Sequence, residues 1–123
     1  MPKVLIVEDD AQVRYLYEQA IKFQGIEVET ASSSEEAVQK LETTPIDLVV
    51  LDLLLPGENG LDFLGRLRRE MQSGRDIPIV IVTHLQDDEV KRQAMVLGVS
   101  SYLSKADHSV GDIVREVRNH LGS

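Results

Sequence analysis

At 123 residues, 42% of them apolar and 28% charged, the chain has the size and composition of one globular domain, residues 1–123, able to bury its own core. It contains no cysteine, which excludes disulfides, thiolate metal sites and cysteine nucleophiles and suits a reducing compartment. Thirteen Lys and Arg against 21 Asp and Glu give a net charge of -8, which opposes polyanions and argues against direct nucleic-acid binding.

Met1-Pro2-Lys3 runs straight into an apolar strand with no leader-like segment, and no apolar run approaches membrane-spanning length. A cytoplasmic location without membrane contact is therefore expected. Val4–Val7 reads as a strand closed by Glu8-Asp9-Asp10, with Asp10 suited to cap the helix whose stripe is Val13, Leu16, Ala20 and Ile21. Tyr15 and Tyr17 are read as helix surface or packing. Ile26, Val28 and Thr30 alternate with Glu27 and Glu29, as in an edge strand with one wet face. Ser33-Ser34-Glu35-Glu36 matches a capping box opening a helix with Ala37, Val38 and Leu41, which Thr43-Thr44-Pro45 ends.

Ile46–Leu51 predicts a strand buried on both faces, terminated by the breakers Pro56-Gly57 and Asn59-Gly60. Asn59 caps a third helix carrying Leu61, Leu64, Leu67 and Met71, with Arg66, Arg68 and Arg69 on its solvated side. A polar loop over 72–76 precedes an apolar strand from Pro78 to Thr83. Asp87-Asp88-Glu89 then opens a helix that Gly98 ends. Tyr102-Leu103 is a short fifth strand reaching Lys105, and Ser109 caps a last helix striped with Val110, Ile113, Val114, Val117 and Leu121. His108 and His120 read as surface residues in or beside that helix.

Five alternations of strand and helix imply an α/β fold: a parallel sheet with helices on both faces and right-handed crossovers. Ligands of such sheets bind beyond the carboxyl ends of the strands. Glu8 and Asp9 end the first strand, Asp52 the third and Thr83 the fourth, and Lys105 follows the fifth, so all five share one rim. Asp52 is costly there, because an ionised carboxylate among Leu and Val loses hydration unless cations or donors compensate. Two carboxylates at about 4 Å also repel by roughly 4 kcal/mol at an effective dielectric near 20. Oxygen ligands without His or Cys suit Mg2+, Lys105 adds a point charge and Thr83 a hydroxyl. Together they suit an acyl phosphate formed on Asp52 as nucleophile.

With these residues in view, the chain resembles the receiver domain of a bacterial two-component response regulator, of the single-receiver kind found in chemotaxis. The matching segments are Val4–Asp9, Leu51–Gly60, Ile81–Thr83 and Tyr102–Lys105. The resemblance implies a doubly wound, flavodoxin-like sheet of five strands in the order 2-1-3-4-5. It implies that Asp52 takes a phosphoryl group from a histidine kinase or phosphotransfer protein, and that Mg2+ is held by Glu8, Asp9, Asp52 and the backbone carbonyl of Leu54. Lys105 and Thr83 would bind phosphoryl oxygens, Tyr102 would be the aromatic switch, and the partner would be a downstream effector protein. A homodimer through the last two helices and the fifth strand is compatible with it. A chain ending at Ser123 is expected to be either a stand-alone receiver or part of a longer regulator.

Three positions depart from the family pattern: Ala106 stands where proline is usual, His84 where a small residue is usual, and Asn59 where aspartate is frequent. Two other functions use similar residues. A pseudo-receiver would keep the fold as a binding module without phosphorylation. A small phosphohydrolase with an aspartyl nucleophile would want a second acid two residues after Asp52, where this chain has Leu54.

Overall fold

The computed structural model describes residues 1–71 and 76–121, so of the polar loop expected at 72–76 only Asp76 lies among the described residues. Its elements run β1 (Lys3–Val7), α1 (Ala11–Lys22), β2 (Glu27–Ala31), α2 (Ser34–Thr43), β3 (Leu48–Leu51), α3 (Gly60–Glu70), β4 (Ile79–Thr83), α4 (Asp88–Val96), β5 (Ser101–Ser104) and α5 (Val110–His120). All pairings are parallel and the strand order is β2-β1-β3-β4-β5. The expected doubly wound, flavodoxin-like sheet is present.

The uniformly apolar strands are explained by their two covered faces, which alternate residue by residue. Val4, Ile6, Leu48, Val50, Val80 and Val82 pack with Tyr17 and Ile21 of α1 and Ile113 and Val117 of α5. Leu5, Val7, Val49, Leu51, Ile79 and Ile81 face the other way, onto residues of α2, α3 and α4 that include Ala37, Phe63, Leu67 and Ala94.

The helix starts follow their capping residues. Asp10 Oδ1 accepts from the amides of Gln12 and Val13, Asn59 from Leu61, and Asp87 from Glu89 and Val90. The capping box expected at Ser33 is half formed. Ser33 Oγ takes the Glu36 amide at 3.2 Å, but the Glu36 carboxylate turns to the Ser32 hydroxyl at 3.4 Å. The reciprocal box forms instead at Ser109 and Asp112.

Three expectations are corrected by packing. In α1 the buried face runs through Val13, Tyr17 and Ile21, and Leu16 is 51% exposed. At 3.6 residues per turn Leu16 lies about 100° from the middle of that face, so Tyr17 takes the core position. In α3, Arg68 is no solvated residue: its guanidinium donates to the carbonyls of Ile77 (2.6 Å), Leu97 (2.9 Å) and Gly98 (3.1 Å). Burial pushes its pKa down. His108 and His120 are half-buried, their rings 3.0 Å from the Ser104 carbonyl and the Ser101 hydroxyl.

The loop after β3 folds back on itself through an isolated bridge between Leu54 and Asn59, and the Gly60 amide donates to the Leu53 carbonyl at 3.1 Å. A Cβ on Gly60 would stand 2.3 Å from that carbonyl oxygen and 2.4 Å from the Leu53 Cα. Neither is a side chain that can swing aside. Gly60→Ala should therefore cost about 1–3 kcal/mol in urea unfolding, the usual range for overpacking. Gly111→Ala, whose Cβ would meet only the Ser109 hydroxyl at 3.6 Å, should be neutral or stabilising.

Candidate functional site

The carboxyl ends of β1, β3, β4 and β5 bring together the residues that the sequence scatters. Asp52 lies one residue past β3 and is 5% exposed. Its Oδ1 accepts from its own loop, the Leu54 amide at 2.9 Å, in the local turn that aspartate favours. The same oxygen accepts from the Thr83 hydroxyl at 2.7 Å, and Oδ2 meets Lys105 Nζ at 2.7 Å. Thr83, the last residue of β4, is fully buried. Lys105 also reaches Glu8 Oε1 at 2.5 Å, so one ammonium serves two acids.

The first turn supplies the remaining acids. Glu8 is 2% exposed, whereas Asp9 is exposed. Carboxylate oxygens of Glu8, Asp9 and Asp52 all lie within 4.8 Å of one another. The donor set is all oxygen and rich in charge, which fits a hard divalent cation and not a soft one. Desolvation pushes the Glu8 carboxyl up, hydrogen bonds from Lys105 and the Asp10 amide pull it back, and Asp52 pushes it up again. Burial pulls the Lys105 ammonium down, but its bonds to Asp52 and Glu8 outweigh that and raise it. Glu8 is thus raised first by its burial and only then by Asp52, whereas Lys105 is raised by the two acids it serves.

Tyr102 is half-buried on β5, and its hydroxyl donates to the Leu85 carbonyl at 2.8 Å. Burial pushes its phenol up, with further contributions from Asp87 and Asp52. The Leu85 amide in turn donates to Thr83 Oγ1 at 3.2 Å. A continuous chain of hydrogen bonds thus links Asp52, Thr83, Leu85 and Tyr102. Beside it, Gln86 donates to the Ser104 hydroxyl at 2.7 Å, tying the loop after β4 to β5.

Residue type alone gave no reason to single out Leu85, Gln86 or Arg14, because they act through backbone groups or through side chains distant in sequence. At the departures, His84 is exposed beside Thr83, and the Ala106 amide donates to the Ser104 hydroxyl at 3.2 Å, a bond a proline could not make. No peptide among the described residues is cis. An open cleft of about 640 Å³ between α1 and α5 is lined by Phe23, Val114 and Arg118 among others and shares no residue with the acidic site.

Residues 4–117 match the family model of the response regulator receiver domain. The chain belongs to that family. This receiver is 35% identical over 105 residues to the transcriptional regulatory protein AfsQ1 of Streptomyces coelicolor, covering 85% of this chain and 45% of the relative. It is 32% identical over 103 residues to the phosphate regulon transcriptional regulatory protein PhoB of Escherichia coli, covering 84% and 44%. The receiver therefore spans less than half the length of these relatives. Among solved structures it is similar to a response regulator receiver protein from Pseudomonas putida, with 30% identity, TM-score 0.89 and 96% of each chain covered. It is likewise similar to the chemotaxis response regulator CheY4 of Vibrio cholerae, with 27% identity, TM-score 0.85 and 98% of each chain covered. Receivers are phospho-accepting signalling switches of two-component systems and, as a family, generally not classical enzymes. No helix among the described residues is long and apolar enough to cross a membrane.

The raised Glu8 makes a thermodynamic prediction. Its folded value lies above its unfolded one, so ionised Glu8 weakens the fold, increasingly as pH rises from the ordinary carboxylate range toward the raised value. In metal-free buffer Glu8→Gln should melt above the wild type at neutral pH, and the difference should vanish below about pH 4, where both states bind the proton. Thermal melts across that range check it.

Proposed function

We propose that Asp52 is the phosphoryl acceptor of this receiver, loaded by a histidine kinase or phosphotransfer protein in a Mg2+-dependent reaction. The observation that carries the reading is a buried aspartate whose two oxygens are already held by a lysine just past β5 and a threonine at the end of β4. An Asp52 oxygen attacks the donor's phosphorus, the bond from phosphorus to the donor's histidine nitrogen breaks, and the imidazole leaves with the electron pair. The product is an acyl phosphate. Glu8, Asp9, Asp52 and the Leu54 carbonyl would hold Mg2+, which supplies positive charge against the carboxylates and the transferring group. Lys105 and Thr83, freed from the carboxylate, follow the phosphoryl oxygens.

Phosphorylation adds about -1.5 to -2 charge and three acceptors. It shifts the conformational equilibrium only by the difference in contacts between the two states. Thr83 provides that difference: a hydroxyl drawn to the phosphoryl group alters its bond to the Leu85 amide, and through the Leu85 carbonyl the setting of Tyr102. The readout is a changed surface on α4, β5 and α5, offered to an effector protein in the cytoplasm or to a second copy of the chain. Residues 1–123 form one receiver unit in this reading.

Acetyl phosphate with Mg2+ should add one phosphoryl group to the wild type by intact mass, and none to Asp52→Asn or in the presence of a chelator. Undiminished labelling of the Asn variant would refute the acceptor assignment. His84→Ala, which opens the surface beside Thr83, should change the decay rate of the phosphorylated form; equal decay rates in the two proteins would rule out a role for that ring.

A further inference from the structure

The turn between β1 and α1 bears two of the three clustered acids, and one side chain braces its backbone from the helix side. Arg14, in the first turns of α1, donates from Nη1 to the Glu8 carbonyl at 2.7 Å and reaches the Asp9 carbonyl at 3.4 Å. Other parts of Glu8 are fixed independently. Its amide donates to the Ala31 carbonyl at 3.0 Å, and its carboxylate takes Lys105 and the Asp10 amide. Asp9 is different. It is the one exposed acid of the three, so its carboxylate is aimed chiefly by its backbone.

The peptide plane transmits that aim. Because the Glu8–Asp9 peptide is planar, a carbonyl held at Glu8 also places the amide and Cα of Asp9, and the second contact, to the Asp9 carbonyl, restrains the backbone rotation at Asp9 that aims its Cβ. We propose that Arg14 is a positioning residue for a divalent-cation site: by clamping the carbonyls of Glu8 and Asp9 it holds the Asp9 carboxylate within reach of Glu8 and Asp52. This rests on the reading of those three acids as the cation's ligands. Arg is suited to the task because its guanidinium stays charged and presents several donors from a rigid plane, whereas lysine offers a single movable point.

The sign of the effect separates positioning from plain electrostatics. A permanent positive charge beside a cation site disfavours the cation, so an Arg14 acting by charge alone would, once removed, leave Mg2+ bound more tightly. A positioning Arg14 gives the opposite result. Calorimetric titration of the unphosphorylated full chain with MgCl2 reads the difference directly. Arg14→Gln is expected to weaken Mg2+ binding about tenfold, the low end of what losing an outer-sphere partner costs a metal site. Arg14→Lys should fall between it and the wild type. The half-saturating Mg2+ for labelling by acetyl phosphate should rise in the same order. Asp9→Asn, measured alongside, reports on the cation site itself. If Asp9→Asn loses binding while both Arg14 variants bind Mg2+ as tightly as the wild type or more tightly, the inference about Arg14 is overturned and the cation site stands. If Asp9→Asn binds normally, the ligand reading fails and takes this inference with it. Should Arg14→Gln not fold, the Lys variant decides by the same criterion.

Discussion

One ammonium group shared by two buried carboxylates holds the functional rim together. Lys105 Nζ lies 2.7 Å from Asp52 and 2.5 Å from Glu8, and all three side chains are at most 9% exposed. Without it, two acids would face each other in a poorly hydrated place, a situation in which a buried pair deprived of its partner loses about 3–5 kcal/mol. Side-chain length matches strand order here. Thr83 is on β4, next to β3, and a short hydroxyl suffices to touch Asp52. Lys105 follows β5, two strand spacings or about 10 Å from β3, and only a long side chain spans that gap.

The alternation of apolar runs with amphipathic stretches carried enough information for ten elements in the right order, because each strand buried on both faces must be continuously apolar. Strand order had a different source: it came from family resemblance, since periodicity says nothing about which strands are neighbours. Boundaries slipped by one or two residues, at Ile46 before β3 and at Pro78 before β4, where Pro78 accepts from the Val49 amide at 3.0 Å but has no amide of its own to give. Long amphipathic side chains were the hardest to place. Tyr17 and Arg68 bury their stems or rings according to what tertiary packing brings near them, which no local pattern encodes.

The acidic and basic members of the site were legible because each stands out chemically against an apolar strand end. Their supports were not. Arg14 braces carbonyls, Leu85 contributes an amide and a carbonyl, and the Ala106 amide binds a serine hydroxyl; backbone groups are present at every residue and carry no sequence signature. Residues of this kind are found only when the fold shows where the peptide groups point.

The opposite rim of the sheet sets a mechanical boundary on the same molecule. Arg68 of α3 is bonded to Leu97 and Gly98 just past α4, and to Ile77 ahead of β4, so the tail of α4 is stapled to its neighbours. The head of α4 follows the loop that contains Leu85 and Gln86, whose attachments run to Thr83, Tyr102 and Ser104. Three charge-assisted hydrogen bonds resist displacement of α4 at its carboxyl end, whereas its amino end is tied to the acidic rim through the loop of Leu85 and Gln86. The two ends of one helix are thus anchored to opposite edges of the sheet by different chemistry.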